Sequence, residues 1–240
     1  MMTWALDQLY PPRCPACHHA SSSEGNLCQP CFSKLHTIAE PHCVTCGIPF
    51  GLPVAEGTLC AQCLATPPVF DSARSVWVYD AVASRMIRRL KFEDHPEQLA
   101  RFGSQLARIA APVLTPDSII MPVPMHWASL LSRRYNAAAW LAQALASRTG
   151  HACHTRQLLR AKSSRHQRGL GRAARLRNIR RAFRVSDAAR SALAGAHVVL
   201  VDDVITTGAT ANACAKVLKA AGVARVDVVT LAHTVKEGSV

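Results

Sequence analysis

The sequence predicts an α/β fold, a parallel sheet flanked by helices, preceded by a small cysteine-rich module held together by metal. Three observations lead there. The stretch His197-Val-Val-Leu-Val-Asp-Asp-Val-Ile-Thr-Thr-Gly-Ala-Thr210 reads as a buried strand, an acidic pair, and a Thr/Gly loop that opens onto a helix. Eight of the ten cysteines fall in the first 63 residues as four C-x-x-C pairs. Between these regions, strand-like runs alternate with helical spacing, the order expected of a parallel sheet. At 240 residues the chain has room for one or two domains, and we divide it into 1–68 and 69–240.

The cysteine pairs come first: Cys14/Cys17, Cys28/Cys31, Cys43/Cys46 and Cys60/Cys63. Two thiolates three positions apart on a tight turn share one tetrahedral ion, and two such knuckles complete a closed four-cysteine zinc site. Four knuckles therefore predict two structural Zn²⁺ sites. The intervals between pairs, 10, 11 and 13 residues, are too alike to impose a pairing. Sequential pairing, giving two zinc ribbons, is favoured by Gly47 after Cys46 and by room for a hairpin in each interval; a cross-brace is the alternative. His18, His19 and His42 lie nearby, but no cysteine is missing for them to replace, so they are expected at the surface. Cys153 and Cys214 stand alone and are expected only to pack.

Pro67-Pro68 marks the boundary after this module. Arg74 to Tyr79 reads as a strand. From Val82 to Ala111 the apolar spacing predicts two helical stretches, broken near Asp94-His95-Pro96. A second buried strand spans Ser118 to Val123, and a helix runs from Ala137 to Arg148. The loop between them carries Arg133 and Arg134, suited to a pyrophosphate. The last strand, Val198 to Val201, is a continuous apolar run of the kind covered on both faces of a parallel sheet. Asp202 and Asp203 follow at its carboxyl end, where open α/β sheets bind ligands. Thr206, Thr207, Gly208, Ala209 and Thr210 supply hydroxyls and N–H groups, and the helix beginning near Ala209 points its positive end at the same spot. The loop suits a phosphate monoester and the carboxylates suit adjacent sugar hydroxyls, so a ribose 5-phosphate fits both. The plainer reading is a Thr/Asp-rich cap on a crossover helix. A P-loop and a dinucleotide-binding G-x-G-x-x-G after a strand are both absent from the sequence.

Charge is concentrated. The formal net charge is +13, and residues 148–190 hold thirteen Lys/Arg against the single acid Asp187. With about −2 on each all-thiolate zinc site the metallated protein stands nearer +9. From Arg165 to Arg184 there are eight arginines and no acid. Gly169 and Gly171 predict mobility there, and the spacing of Leu176, Ile179 and Phe183 suggests a short helix after it. Arg165 and Arg168 would then belong to a basic loop that closes over pyrophosphate, or the segment neutralises nucleic-acid phosphates. The start lacks the basic and apolar blocks of a signal peptide, and no apolar run of 18 residues occurs. A cytoplasmic protein without membrane insertion is expected.

The segment from Asp202 to Thr210 resembles the phosphoribosyl-pyrophosphate (PRPP) signature of type I phosphoribosyltransferases. With the four C-x-x-C pairs, Leu90-Lys91-Phe92, Pro122-Val-Pro-Met-His126, Tyr135-Asn136 and the arginine-rich Gln167 to Phe183, the whole chain resembles the ComF family of competence proteins. Arg134 and Ala137 stand where that family usually has Gly and Gln. The resemblance implies a type I phosphoribosyltransferase-like sheet, PRPP bound with Mg²⁺, and a role in DNA uptake during natural transformation. The zinc module and the basic segment point to single-stranded DNA as the partner, with proteins of the uptake machinery as further partners. If the site is catalytic, Asp202 and Asp203 bind the ribose hydroxyls directly or through the metal, Thr206 to Thr210 hold the 5-phosphate, and Arg133, Arg134 and the basic loop steady departing pyrophosphate. Two alternatives stay open: an active phosphoribosyltransferase of nucleotide or small-molecule metabolism, and a zinc adaptor with a non-catalytic transferase fold. No acceptor-recognising residue is identifiable.

Overall fold

The computed structural model describes residues 12–23, 26–92, 96–125, 136–160 and 182–235. Arg133, Arg134, Arg165 and Arg168 lie outside the described residues, as do Leu176 and Ile179.

The sheet is formed by β1 (Ser72–Val78), β2 (Ile119–Pro122), β3 (Ala152–Cys153), β6 (His197–Ile205) and β7 (Arg225–His233) in the order β1-β7-β6-β2-β3. Every neighbouring pair is parallel. β4 (Leu158–Arg160) and β5 (Phe183–Val185) form a separate antiparallel pair. Between β1 and β2 come α3 (Ala81–Phe92) and α4 (Pro96–Ala110); α5 (Ala137–Thr149) precedes β3. The short α6 (Arg190–Leu193) leads into β6, and α7 (Ala209–Ala220) joins β6 to β7. Two short helices, α1 (Gln29–Phe32) and α2 (Ala61–Ala65), lie in the cysteine module.

Strand β6 shows why its run is apolar throughout. Val199 and Val201 belong to one buried cluster with Met86, Leu106 and Leu141 of α3, α4 and α5. Val198 and Leu200 belong to the other, with Cys214 and Leu218 of α7 and Phe183 and Val185 of β5. Successive side chains alternate between two covered faces, so each must be apolar. On the first face Trp77 meets Phe102 edge to face, with ring centroids 5.8 Å apart.

Apart from the differences below, the predicted strands and helices of the transferase part that fall on described residues are present, with ends shifted by at most two residues. Three differences have physical causes. β6 continues to Ile205, so the acidic pair lies inside the strand and not beyond it. Phe183, read with Leu176 and Ile179 as part of a helix, is in β5, where Phe183 and Val185 are buried on either side of exposed Arg184. Pairing with Leu158–Arg160 overrides the local spacing. β7 was not foreseen. Its apolar run contains Asp227 and Thr230, both buried. Asp227 accepts from Ser72 Oγ (2.7 Å), from Arg225 Nε (2.7 Å) and from His197 Nε2 (2.8 Å). The other His197 ring nitrogen bonds Ser118 Oγ at 2.8 Å. Ser118 is only 3% exposed, so this Ser–His–Asp chain is an internal tie across the amino-terminal edge of the sheet.

The cysteine module is docked on the outer edge of the sheet. Residues 36–38 run antiparallel to β1: Ile38 N–H donates to Val76 O (2.9 Å) and Val78 N–H to His36 O (2.8 Å). Asp80, which caps α3 through Val82 and Ala83 N–H, also accepts from His36 N–H at 3.0 Å. Arg89 of α3 donates to Pro15 O at 2.9 Å. Cys14, Ala16 and Cys31 are buried in the same cluster as Val76 and Trp77. The module thus shares a core with the sheet domain.

Candidate functional site

The two halves of the cysteine module repeat one design. Cys14, Cys17, Cys28 and Cys31 form one group and Cys43, Cys46, Cys60 and Cys63 the other, with the sulfurs of each group within 4.8 Å of one another. The sequential pairing holds, and the cross-brace does not. The Cys17–Cys28 and Cys46–Cys60 sulfur separations are 3.5 and 3.6 Å. Tetrahedral zinc at ~2.3 Å from each sulfur requires about 3.8 Å, whereas a disulfide requires about 2.05 Å. The donors fit zinc.

The first knuckles of the two ribbons make the same pair of backbone hydrogen bonds. Cys14 N–H donates to His19 O and Cys43 N–H to Ile48 O, both at 2.8 Å. His18 N–H returns to Cys14 O and Gly47 N–H to Cys43 O, at 3.0 and 2.9 Å. His18 (φ +63°) and Gly47 (φ +71°) hold the same left-handed position. His18 and His19 are exposed, His42 is half-buried, and none joins a sulfur cluster. Burial pushes the Cys14 and Cys43 thiols up, but backbone N–H groups aimed at their sulfurs outweigh it. The net values fall to about 6 and about 7. Cys31 and Cys63 lack that compensation, and burial lifts both to about 12.

The second site lies at the carboxyl edge of the sheet. From β2 the chain moves outward to β3, whereas from β6 it moves the other way to β7. The boundary between β2 and β6 is therefore a topological switch point, where the loops diverge and leave a crevice. The β2–β6 register ends at Pro122 opposite Val201, while β6 stays paired with β7 through Ile205. Asp202 and Asp203 are the first residues of β6 beyond its β2 neighbour, and both are half-buried. Asp202 Oδ1 accepts the Asp203 N–H at 2.9 Å. Asp202 lies on the α7 side: burial pushes the Cys214 thiol up, the Asp202 charge adds to this, and Arg160 opposes it. Arg160 sits 5.4 Å over the Phe183 ring.

The loop that follows leaves Thr206 and Thr207 exposed and Thr210 half-buried. Gly208 is the N-cap of α7 and adopts φ +71°. A glycine has no side chain to cap the helix, so the plainer reading of a Thr/Asp cap does not describe this terminus. The first N–H groups of α7 face the loop and carry the positive end of the helix dipole. Asp202 and Asp203 are thus brought to one edge with Thr206–Thr210. Phe70, which lies against Gly208 of this loop, and Asn212 of α7, whose side chain accepts from Val69 N–H, belong to no motif and give no sequence signal. Among the described residues no helix is long and apolar enough to cross a membrane.

Residues 5–64 match the double zinc ribbon domain, and residues 136–238 match the phosphoribosyl transferase domain. The chain is 34% identical to the DNA utilization protein YhgH of Salmonella typhi over 202 residues, 80% of this chain and 84% of that protein. It is 30% identical to competence protein F of Haemophilus influenzae over 228 residues, 92% of this chain and 96% of that protein. With competence protein ComFC of Bacillus subtilis the identity is 25% over 200 residues, 80% and 77% of the two chains. Two four-cysteine ribbons, a phosphoribosyltransferase-type parallel sheet and relatives matched over most of their length lead to one conclusion: the chain belongs to the ComF family of competence and DNA-utilization proteins.

Proposed function

We propose that this protein binds PRPP at the β2–β6 switch point and handles single-stranded DNA during DNA uptake in the cytoplasm. The observation that carries the PRPP half is the placement of Asp202, Asp203 and the Gly208-capped α7 terminus at one sheet edge. In this reading the Thr206–Thr210 loop receives the 5-phosphate, and its N–H groups and hydroxyls replace the hydration shell of the phosphate. Asp202 and Asp203 accept from the ribose hydroxyls. Carboxylate oxygens are also the hard donors Mg²⁺ prefers, and the ion would neutralise pyrophosphate there. Arg133, Arg134, Arg165 and Arg168 supply further cations for the pyrophosphate side.

The DNA half rests on the thirteen cations of residues 148–190 and on what the relatives' names say of those proteins. A backbone neutralised by arginines releases counterions, so affinity falls steeply with salt. Proteins of the uptake machinery are the natural further partners of such a role.

Calorimetry with PRPP and Mg²⁺ tests the first half. Wild type is expected to bind and Asp203→Ala to lose at least roughly tenfold in affinity, the cost of a charge-assisted hydrogen bond. Absence of binding by wild type overturns the PRPP reading. A fluorescent single-stranded oligonucleotide titrated over a salt series tests the second, which fails if affinity is absent or flat with salt.

A further inference from the structure

The chain leaves the second zinc ribbon after α2 and reaches β1 at Ser72 by a strap fastened to α7. Val69 N–H donates to Oδ1 of Asn212 at 2.7 Å. Asp71 N–H donates to Val226 O (2.8 Å), and Asp71 Oδ2 accepts from Val226 N–H (2.7 Å). The same carboxylate pairs with Lys219 of α7 at 2.8 Å. Between these ties the Phe70 ring, 3% exposed, lies against Gly208. A Cβ built on Gly208 would meet Phe70 Cε1 at 3.5 Å and Cζ at 3.8 Å. Gly208 is the left-handed turn between β6 and α7, so its setting decides where the first N–H groups of α7 point.

We propose that Phe70 is a positioning residue for the phosphate loop, and that through it the second zinc ribbon and the loop are held as one unit. The inference rests on the reading that this loop receives the ligand's phosphate. A ring that only fills space stabilises the fold without favouring ligand. A ring that sets Gly208 lowers the cost of ordering the loop, so its removal weakens binding beyond any loss of stability.

The test uses the full-length zinc-loaded protein, titrated calorimetrically with PRPP and Mg²⁺ beside thermal melts. Phe70→Ala is expected to weaken PRPP roughly tenfold, within the usual range of coupling between sites. Asn212→Ala, which frees the strap at Val69 without opening a core cavity, is expected to weaken it about threefold. Leu193→Ala, in the same buried cluster but at the other end of β6, should lower Tm and leave affinity unchanged. Wild-type binding with unchanged affinity in Phe70→Ala and Asn212→Ala overturns the inference and leaves the PRPP reading intact. Equal losses in Leu193→Ala also overturn it, because general destabilisation then explains them. Should Phe70→Ala not fold, Asn212→Ala decides alone. Failure of wild type to bind overturns instead the reading beneath the inference.

Discussion

Gly47 stands so close to Ala73 that a Cβ added to it would lie 2.5 Å from the Ala73 carbonyl oxygen. In the same contact Ala73 N–H donates to Thr45 O at 2.6 Å and Arg74 donates to Val44 O at 3.0 Å. The second ribbon is seated on β1 through its own knuckle backbone. Gly47→Ala therefore meets two obstacles, a left-handed φ of +71° and a backbone clash. We expect it to destabilise the protein by about 2–4 kcal/mol, seen in thermal melts at full zinc loading.

Removal of zinc should be felt in the transferase core. Cys14, Ala16 and Cys31 share a buried cluster with Trp77, Phe102 and Leu106. Chelation releases the first ribbon and uncovers that side of the cluster. A Tm fall of at least ~5 °C, with a changed near-ultraviolet signal from the buried aromatics, is expected on chelation and reversed by added zinc. An unchanged transferase melt would count against the shared core.

Asp227 is fully buried, and its three donors come from three different parts of the sheet. Asp227→Ala leaves Ser72, His197 and Arg225 without that acceptor and should cost about 3–5 kcal/mol. Because the network lies at the amino-terminal edge, Asp227→Asn is expected to lower the urea midpoint while changing PRPP affinity by less than about twofold.

Acid sensitivity should reach into the mild range. His233 is buried at the end of β7 with Nδ1 donating to Thr234 O, and burial holds its pKa below the ordinary 6.5. The unfolded chain takes up this proton first as pH falls. The stabilisation from neutral His233 is therefore complete above pH 6.5 and is lost as pH falls toward the lowered folded value. His233→Gln should flatten the stability profile between about pH 5 and 7; a slope equal to wild type would exclude His233 as its source.

The parts legible in the sequence are those whose signal is local. Val198–Val201 announces a doubly covered strand because each residue must be apolar. The cysteine pairs announce zinc because their spacing is the coordination geometry. Asp227 and Thr230 interrupt the β7 pattern because their partners lie far away in sequence: Ser72 and Ser75 are 155 positions from them. β3, β4 and β5 are too short to carry a period. The acidic pair was legible as chemistry, but its location inside β6 depends on pairing with β7, which continues through Ile205 after β2 has stopped. Phe70 could not be singled out, since its meaning lies in touching a glycine 138 positions away.

The pairing of residues 36–38 with β1 has a consequence for how this protein can be handled. Without it, the free N–H and C=O groups of β1 would form an open border able to recruit a strand from another molecule. A fragment beginning at residue 69 would carry that border uncovered, and its expected fate is self-association in place of a tidy, smaller phosphate-binding domain. The segment between the two ribbons thus covers an edge that would otherwise be open to strand exchange.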